Sequence, residues 1–154
     1  MVNVGMHTVV LNNIAEDEVP KLGADLAGYF SEKEVIYLNG ELDAGKTSLI
    51  RHVLASLGYV GRVKSPSYSI AETYDFNGLK VAHLDLYRVD NLDELIYLSL
   101  DEYAEECNYI FIEWAPENCG LVPPATITIQ ILMSGGTRNY TIRHNKNINL
   151  SNIL

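Results

Sequence analysis

Two cysteines, Cys107 and Cys119, are the whole thiol complement of this 154-residue chain. They are too few for a disulfide framework, and neither a C-x-x-C spacing nor a companion histidine at zinc-ligand distance accompanies them. Both are expected to be reduced thiols. Basic residues are also scarce: 11 Lys and Arg face 20 Asp and Glu, for a formal charge of -9. A chain that grips nucleic acid by its backbone needs clustered cations to displace counterions, so any nucleic acid served here is expected to be held by another protein. No apolar run approaches the 18 residues of a membrane span, and no basic stretch followed by an apolar run and a cleavage site opens the chain. These absences predict a cytoplasmic protein that does not contact a membrane.

What is present is the composition of a globular domain, 47% apolar with 20% charge spread along the chain. A single domain spanning residues 1–154 is expected, and a chain of this size buries about 70% of its unfolded surface without a metal or disulfide. The Asn-rich end from Asn145 has few apolar anchors and is expected to be loose. From Ala15 to Phe30, Val19, Leu22, Leu26 and Ala27 recur at helical spacing behind acidic Glu16, Asp17 and Glu18. Val35 to Leu38 reads as a buried strand, and Ser48 to Leu57 as a helix stopped by Gly58.

Ser69 to Phe76 and Leu79 to Leu86 flank Asn77-Gly78, a two-residue hairpin signal. Asp93 to Leu100 reads as a helix and Tyr109 to Ile112 as a second buried strand. Thr126 to Leu132 and Asn139 to Arg143 form a second hairpin around Gly135-Gly136. Helices alternating with apolar strands, plus two hairpins, predict an α/β domain of three layers with a mixed, partly parallel central sheet.

The segment Gly40-Glu41-Leu42-Asp43-Ala44-Gly45-Lys46-Thr47 fits the phosphate-loop pattern G-x-x-x-x-G-K-[ST]. In that pattern backbone N–H groups curl around phosphates, the lysine meets the outer phosphates and the threonine hydroxyl meets magnesium. The following helix, from Ser48, offers an N-terminus that favours an anion. With glycine near 7% of residues, a chance match in a chain this short arises with a probability of roughly half a percent. The strand before it and the helix after it were read from hydrophobic spacing alone, and they supply the context the pattern requires. The ligand expected is a nucleoside triphosphate with magnesium, and the bland alternative is a plain glycine turn.

Two further strands end in carboxylates. Val81 to Asp85 ends at Asp85, and Tyr109 to Ile112 runs into Glu113-Trp114. Ligands in open α/β sheets gather beyond the carboxyl ends of parallel strands, so Asp85 and Glu113 are expected beside the loop as magnesium ligands or as the group that orients an attacking water. Spacing does not separate base from metal ligand. Trp114 has two readings, half-buried packing or a surface on which a base or partner stacks. His83, inside the Asp85 strand, reads as a hydrogen-bonded core imidazole rather than a catalyst, and His7, His52 and His144 carry no signal. Lys64-Ser65-Pro66-Ser67 reads as a turn, with a switch segment whose Ser67 hydroxyl senses the γ-phosphate as the alternative.

Asn39 to Thr47, Lys64 to Tyr68, His83-Leu-Asp-Leu-Tyr-Arg88 and Ile112-Glu-Trp114 occur in the order and spacing of one family. The chain resembles the bacterial tRNA threonylcarbamoyladenosine biosynthesis ATPase over nearly its whole length, from the Leu22-Gly23 helix to Arg138. The resemblance implies a P-loop NTPase-like fold and a partner-dependent ATPase. Such a protein serves the proteins of the complex that transfers threonylcarbamoyl to adenosine 37 of tRNA, and contacts tRNA only indirectly. It implies Lys46 on the phosphates, Thr47 and Glu113 at magnesium, and Asp85 supporting that metal or its waters. Ser48, Trp114, Arg138 and the region of His7 and Thr8 are implied near the nucleotide.

Three positions depart from the family's pattern: Asp43 and Ser99 stand where glycine is usual, and Ser67 where threonine is. A carboxylate about 5 Å from a phosphate charge costs roughly 3 kcal/mol at an effective dielectric of ~20, so Asp43→Gly is expected to bind ATP more tightly than the natural chain. Equal or weaker binding of ATP by the glycine variant in a titration would refute this. Two readings from other classes remain beside the ATPase. One is a regulatory module that binds ATP and hydrolyses it only incidentally; the other is a small-molecule kinase, which would need an acceptor pocket.

Overall fold

A computed structural model describes residues 7–41, 44–66, 69–116 and 120–144. Seven strands and four helices follow one another as β1 (His7–Ile14), a 3-10 turn (Glu16–Glu18), α1 (Val19–Gly28), β2 (Glu34–Asn39), α2 (Lys46–Leu57), β3 (Ala71–Phe76), β4 (Leu79–Asp85), α3 (Leu92–Leu98), α4 (Leu100–Glu106), β5 (Tyr109–Glu113), β6 (Ile127–Ser134) and β7 (Thr137–His144). The strands form one sheet in the order β1-β7-β6-β2-β5-β4-β3. Its centre, β6-β2-β5-β4, is parallel, while β3, β7 and β1 attach through antiparallel pairs. The α/β architecture with a mixed sheet and two hairpins is therefore as the sequence predicts. In the first hairpin Asn77 and Gly78 both have positive φ, 50° and 76°, as the two central residues of a tight turn between twisted strands require. No helix among the described residues is long and apolar enough to cross a membrane.

Side-chain alternation along the strands decides what each face carries. Tyr109 and Phe111 of β5 join the core beneath α1 and α2, with Ile36, Leu38, Leu49, Ile50 and Val53. Ile110 and Ile112 turn to the other face, where Ala82, Leu84, Leu95 of α3 and Leu100 of α4 form a second core. This gives three layers. All five β5 residues are buried, which fits a strand at the centre of a parallel region covered on both sides. The same period places His83, Asp85 and Glu113 on the α2 face, because Val81 and Phe111 already point there. The parallel register sets Asp85 opposite Glu113 and His83 opposite Phe111. A slip of β4 by one residue would turn His83 and Asp85 to the face opposite Glu113.

Differences from the sequence expectations have local causes. The helix expected from Ala15 begins as a 3-10 turn in which Glu18 accepts the Ala15 N–H at 2.9 Å, and regular α-helix starts beside Pro20. β1 is an edge strand with only Leu11 and Ile14 buried; its pairing with β7 is irregular between them, where Asn13 has φ 58°, so it shows no clean alternation. The helix expected over Asp93 to Leu100 is two short helices broken at Ser99, which sits in the left-handed region at φ 52°. There a side chain costs about 1–2 kcal/mol, a cost that glycine would not carry. Ser99→Gly is expected to raise stability by about 1 kcal/mol after the glycine's extra unfolded-state entropy is deducted, visible as a higher urea midpoint with unchanged slope. A lower midpoint would contradict the strain argument.

Candidate functional site

β2 delivers the chain to the glycine loop at the carboxyl edge of the sheet. Gly40 lies so close to β6 that a Cβ there would sit 2.8 Å from the Ile131 carbonyl oxygen. The Glu41 carbonyl accepts the Ala44 N–H at 3.1 Å, and Glu41 is exposed while Ala44 is buried. Leu42 and Asp43 lie outside the described residues. Gly45 has φ 99° and precedes α2 with no side chain to cap it. Among the described residues no side chain caps the first turn of α2, and its N–H groups with the helix dipole favour an anion at this end. A cleft of about 340 Å³ opens there, lined by Gly45, Lys46, Thr47, Ser48, Ser65, Asp85 and Glu113.

Lys46 is only 5% exposed. Its ammonium donates to the Gly40 carbonyl at 2.8 Å, lies 3.4 Å from Glu113 Oε1, and sits 4.5 Å from the centre of the Trp114 ring. Trp114 holds φ 58°, an unusual backbone for a bulky side chain and one that stores strain when the surroundings enforce it. Its ring also packs against Tyr87 at 4.9 Å. The other oxygen of Glu113, Oε2, is 2.5 Å from His83 Nε2. Burial alone would raise the Glu113 carboxyl; the hydrogen bond and charge of His83, with the charge of Lys46, outweigh it and hold that carboxyl below its ordinary value. Asp85, across from Glu113, is shifted the other way, mainly by burial, although its Oδ1 accepts the Tyr87 N–H at 3.0 Å.

The donor set suits magnesium, a hard cation that takes one or two carboxylates and otherwise prefers phosphate oxygens and water. Two carboxylates and the Thr47 hydroxyl share the cleft. No group of three or more His, Cys, Asp and Glu among the described residues is arranged to hold a metal unaided. The structure thus brings together Gly40, Gly45, Lys46, Thr47, Ser48, Asp85, Glu113 and Trp114. Ser67 lies outside the described residues; Ser65, two positions earlier, lines the cleft. Arg138 also reaches the loop: a Cβ on Gly45 would meet its Nε at 2.7 Å, and its Nη1 pairs with Glu16 at 2.6 Å. His7 and Thr8 are not brought there. They pair with His144 and Arg143, roughly 20 Å along the sheet from Arg138 at strand spacing. His83, read from the sequence as a hydrogen-bonded core imidazole, is fully buried and hydrogen-bonded, and its partner is the site carboxylate Glu113. Its position two residues before Asp85 puts it on the same face of β4, and the pairing of β4 with β5 brings it to Glu113.

A larger groove of about 600 Å³ lies between Tyr37, Asn39, Thr128 and Gln130 and the segment after Trp114; among the described residues it is lined by no Lys, Arg, His, Asp or Glu, unlike the phosphate-loop cleft.

A mixed sheet with a parallel centre, a glycine loop between strand and helix, a buried loop lysine and two strand-end carboxylates define a P-loop NTPase-like domain. Residues 14–140 match the family profile described as threonylcarbamoyl adenosine biosynthesis protein TsaE, and the chain belongs to that family. It is 38% identical over 110 residues to the tRNA threonylcarbamoyladenosine biosynthesis protein TsaE of Haemophilus influenzae, covering 71% of this chain and 70% of the relative. It is 32% identical over 124 residues to the protein of the same name from Rickettsia felis, covering 80% and 71%. The crystal structure of Bacillus subtilis YdiB shares the fold, with a TM-score of 0.73 over 92% of this chain and 88% of that one at 23% identity.

Proposed function

We propose that this protein binds ATP with magnesium and hydrolyses it in support of tRNA threonylcarbamoyladenosine formation, as the ATPase partner of the threonylcarbamoyl-transfer proteins. The family name supplies the tRNA-modification setting. The observation that carries the ATPase reading is a buried lysine behind an uncapped helix start, facing two register-paired carboxylates across one cleft. Lys46 neutralises phosphate charge as it builds up in transfer, where a preorganised cation acts most strongly. Thr47 and Glu113 are the groups that would hold magnesium, which would supply further charge neutralisation between the phosphates. Glu113 has both oxygens engaged, by His83 and Lys46, so it is a poor free base. Asp85, raised by burial, is better suited to orient a water and draw its proton.

The charge of -9 supports a protein partner over direct tRNA contact: residues 89–137 contain no Lys or Arg at all. The test is phosphate release from ATP with magnesium and with EDTA, by the chain alone and with the transfer proteins. Magnesium-dependent release to water, stimulated by those proteins, is expected. Tight ATP binding without release under either condition would favour a regulatory module, and transfer to a metabolite would favour a kinase.

A further inference from the structure

We infer that His83 is a positioning residue that fixes the Glu113 carboxylate, so that Oε1 alone is presented to the ammonium, phosphates and metal in the cleft. The inference rests on the ATP–magnesium reading of the site.

His83 stands in the interior of β4 with no exposed surface. Its Nε2 meets Glu113 Oε2 at 2.5 Å, while its Nδ1 is buried and has no hydrogen-bond partner among the described residues. An ionised carboxylate only accepts, so Nε2 carries the proton and donates. A histidine retained for core packing would be expected to satisfy its ring nitrogens within the strand layer. Here the single polar contact of the ring among the described residues is to the site carboxylate.

The consequence is a division of labour between the two oxygens of Glu113. Oε2 is tied to the sheet, and Oε1 lies 3.4 Å from Lys46. When phosphates take Lys46, Oε1 is released facing the cleft with its orientation already set. Without the His83 donor, a carboxylate this buried would carry one unpartnered oxygen, and both oxygens would turn onto the Lys46 ammonium, the remaining donor beside it. Donors behind a metal-binding carboxylate typically contribute 10- to 100-fold in metal affinity.

The test is manganese(II) binding to the ADP complex, followed by electron paramagnetic resonance, with metal-free ADP binding and thermal melts measured in parallel. His83→Leu is expected to weaken manganese binding about 10- to 100-fold. His83→Gln, whose amide N–H reaches toward Glu113 from the same place, should recover most of the loss, and the shorter His83→Asn should not. A packing role predicts the reverse order, with the apolar leucine tolerated best and the two buried amides equally poor. Unchanged manganese affinity in His83→Leu, or equal affinities in the Gln and Asn variants should the leucine variant not fold, overturns the inference alone. Absence of manganese binding by the unaltered ADP complex would instead overturn the reading of the site, and this inference with it.

Discussion

Lys46→Ala is expected to reduce phosphate release by about 10³-fold and ATP affinity by at least ~100-fold, while leaving the chain folded. Removal of one preorganised donor to a developing oxyanion typically costs 10²- to 10³-fold in rate, and Lys46 also supplies the positive charge within the cleft. The fold should survive because Glu113 keeps its hydrogen bond to His83 when the ammonium is gone. Lys46→Arg should not restore activity. The ammonium is threaded between the Gly40 carbonyl, Glu113 and the Trp114 ring, a compact space that a planar guanidinium does not fit. Turnover by Lys46→Ala within tenfold of the unaltered protein would remove the ground for treating the glycine loop as the phosphate site.

The Lys46 contacts also show which parts of the architecture were legible in the residues. The glycine loop, the strands β2 and β5, and both hairpins announce themselves locally, through a motif, short apolar runs and turn residues, and each lies where the pattern implies. β1 and α4 do not. An edge strand with two buried residues and an irregular pairing has no period to detect, and the stripe of α4, Leu100 with Tyr103 and Ala104, covers two turns of a seven-residue helix, too short to stand out among its acids.

The site was legible as a set of strand ends, because parallel strands that finish in Asp85 and Glu113 must finish on one edge. It was not legible as a network. That His83 touches Glu113 depends on the parallel register of β4 and β5, a fact of pairing rather than of either strand. That Arg138 reaches Gly45 likewise follows from where the second hairpin packs. Histidine on a buried strand carries the same local signal whether it fills the core or backs a carboxylate.

Glu113→Ala should separate binding from turnover in the direction opposite to Lys46→Ala. Phosphate release is expected to fall at least ~100-fold, because the metal-facing oxygen is lost. ADP binding in EDTA should hold or tighten, because the ammonium no longer has a protein carboxylate competing with phosphate. The cost appears in stability: breaking a buried ion pair and leaving its partner unpaired typically costs about 3 kcal/mol, and both members here are nearly inaccessible. The pH dependence should change with it. The Glu113 carboxyl is held below its ordinary value, so its contribution is complete above the unfolded value of about 4.3 and is lost as pH falls through the lower folded value. Denaturant midpoints of the alanine variant should therefore fall less steeply on acidification below that point than those of the unaltered chain. If ADP binding in EDTA collapses as far as it does in Lys46→Ala, the pair does not act as two separable groups, and the assignment of Glu113 to the metal rather than to the phosphate loop's own integrity fails.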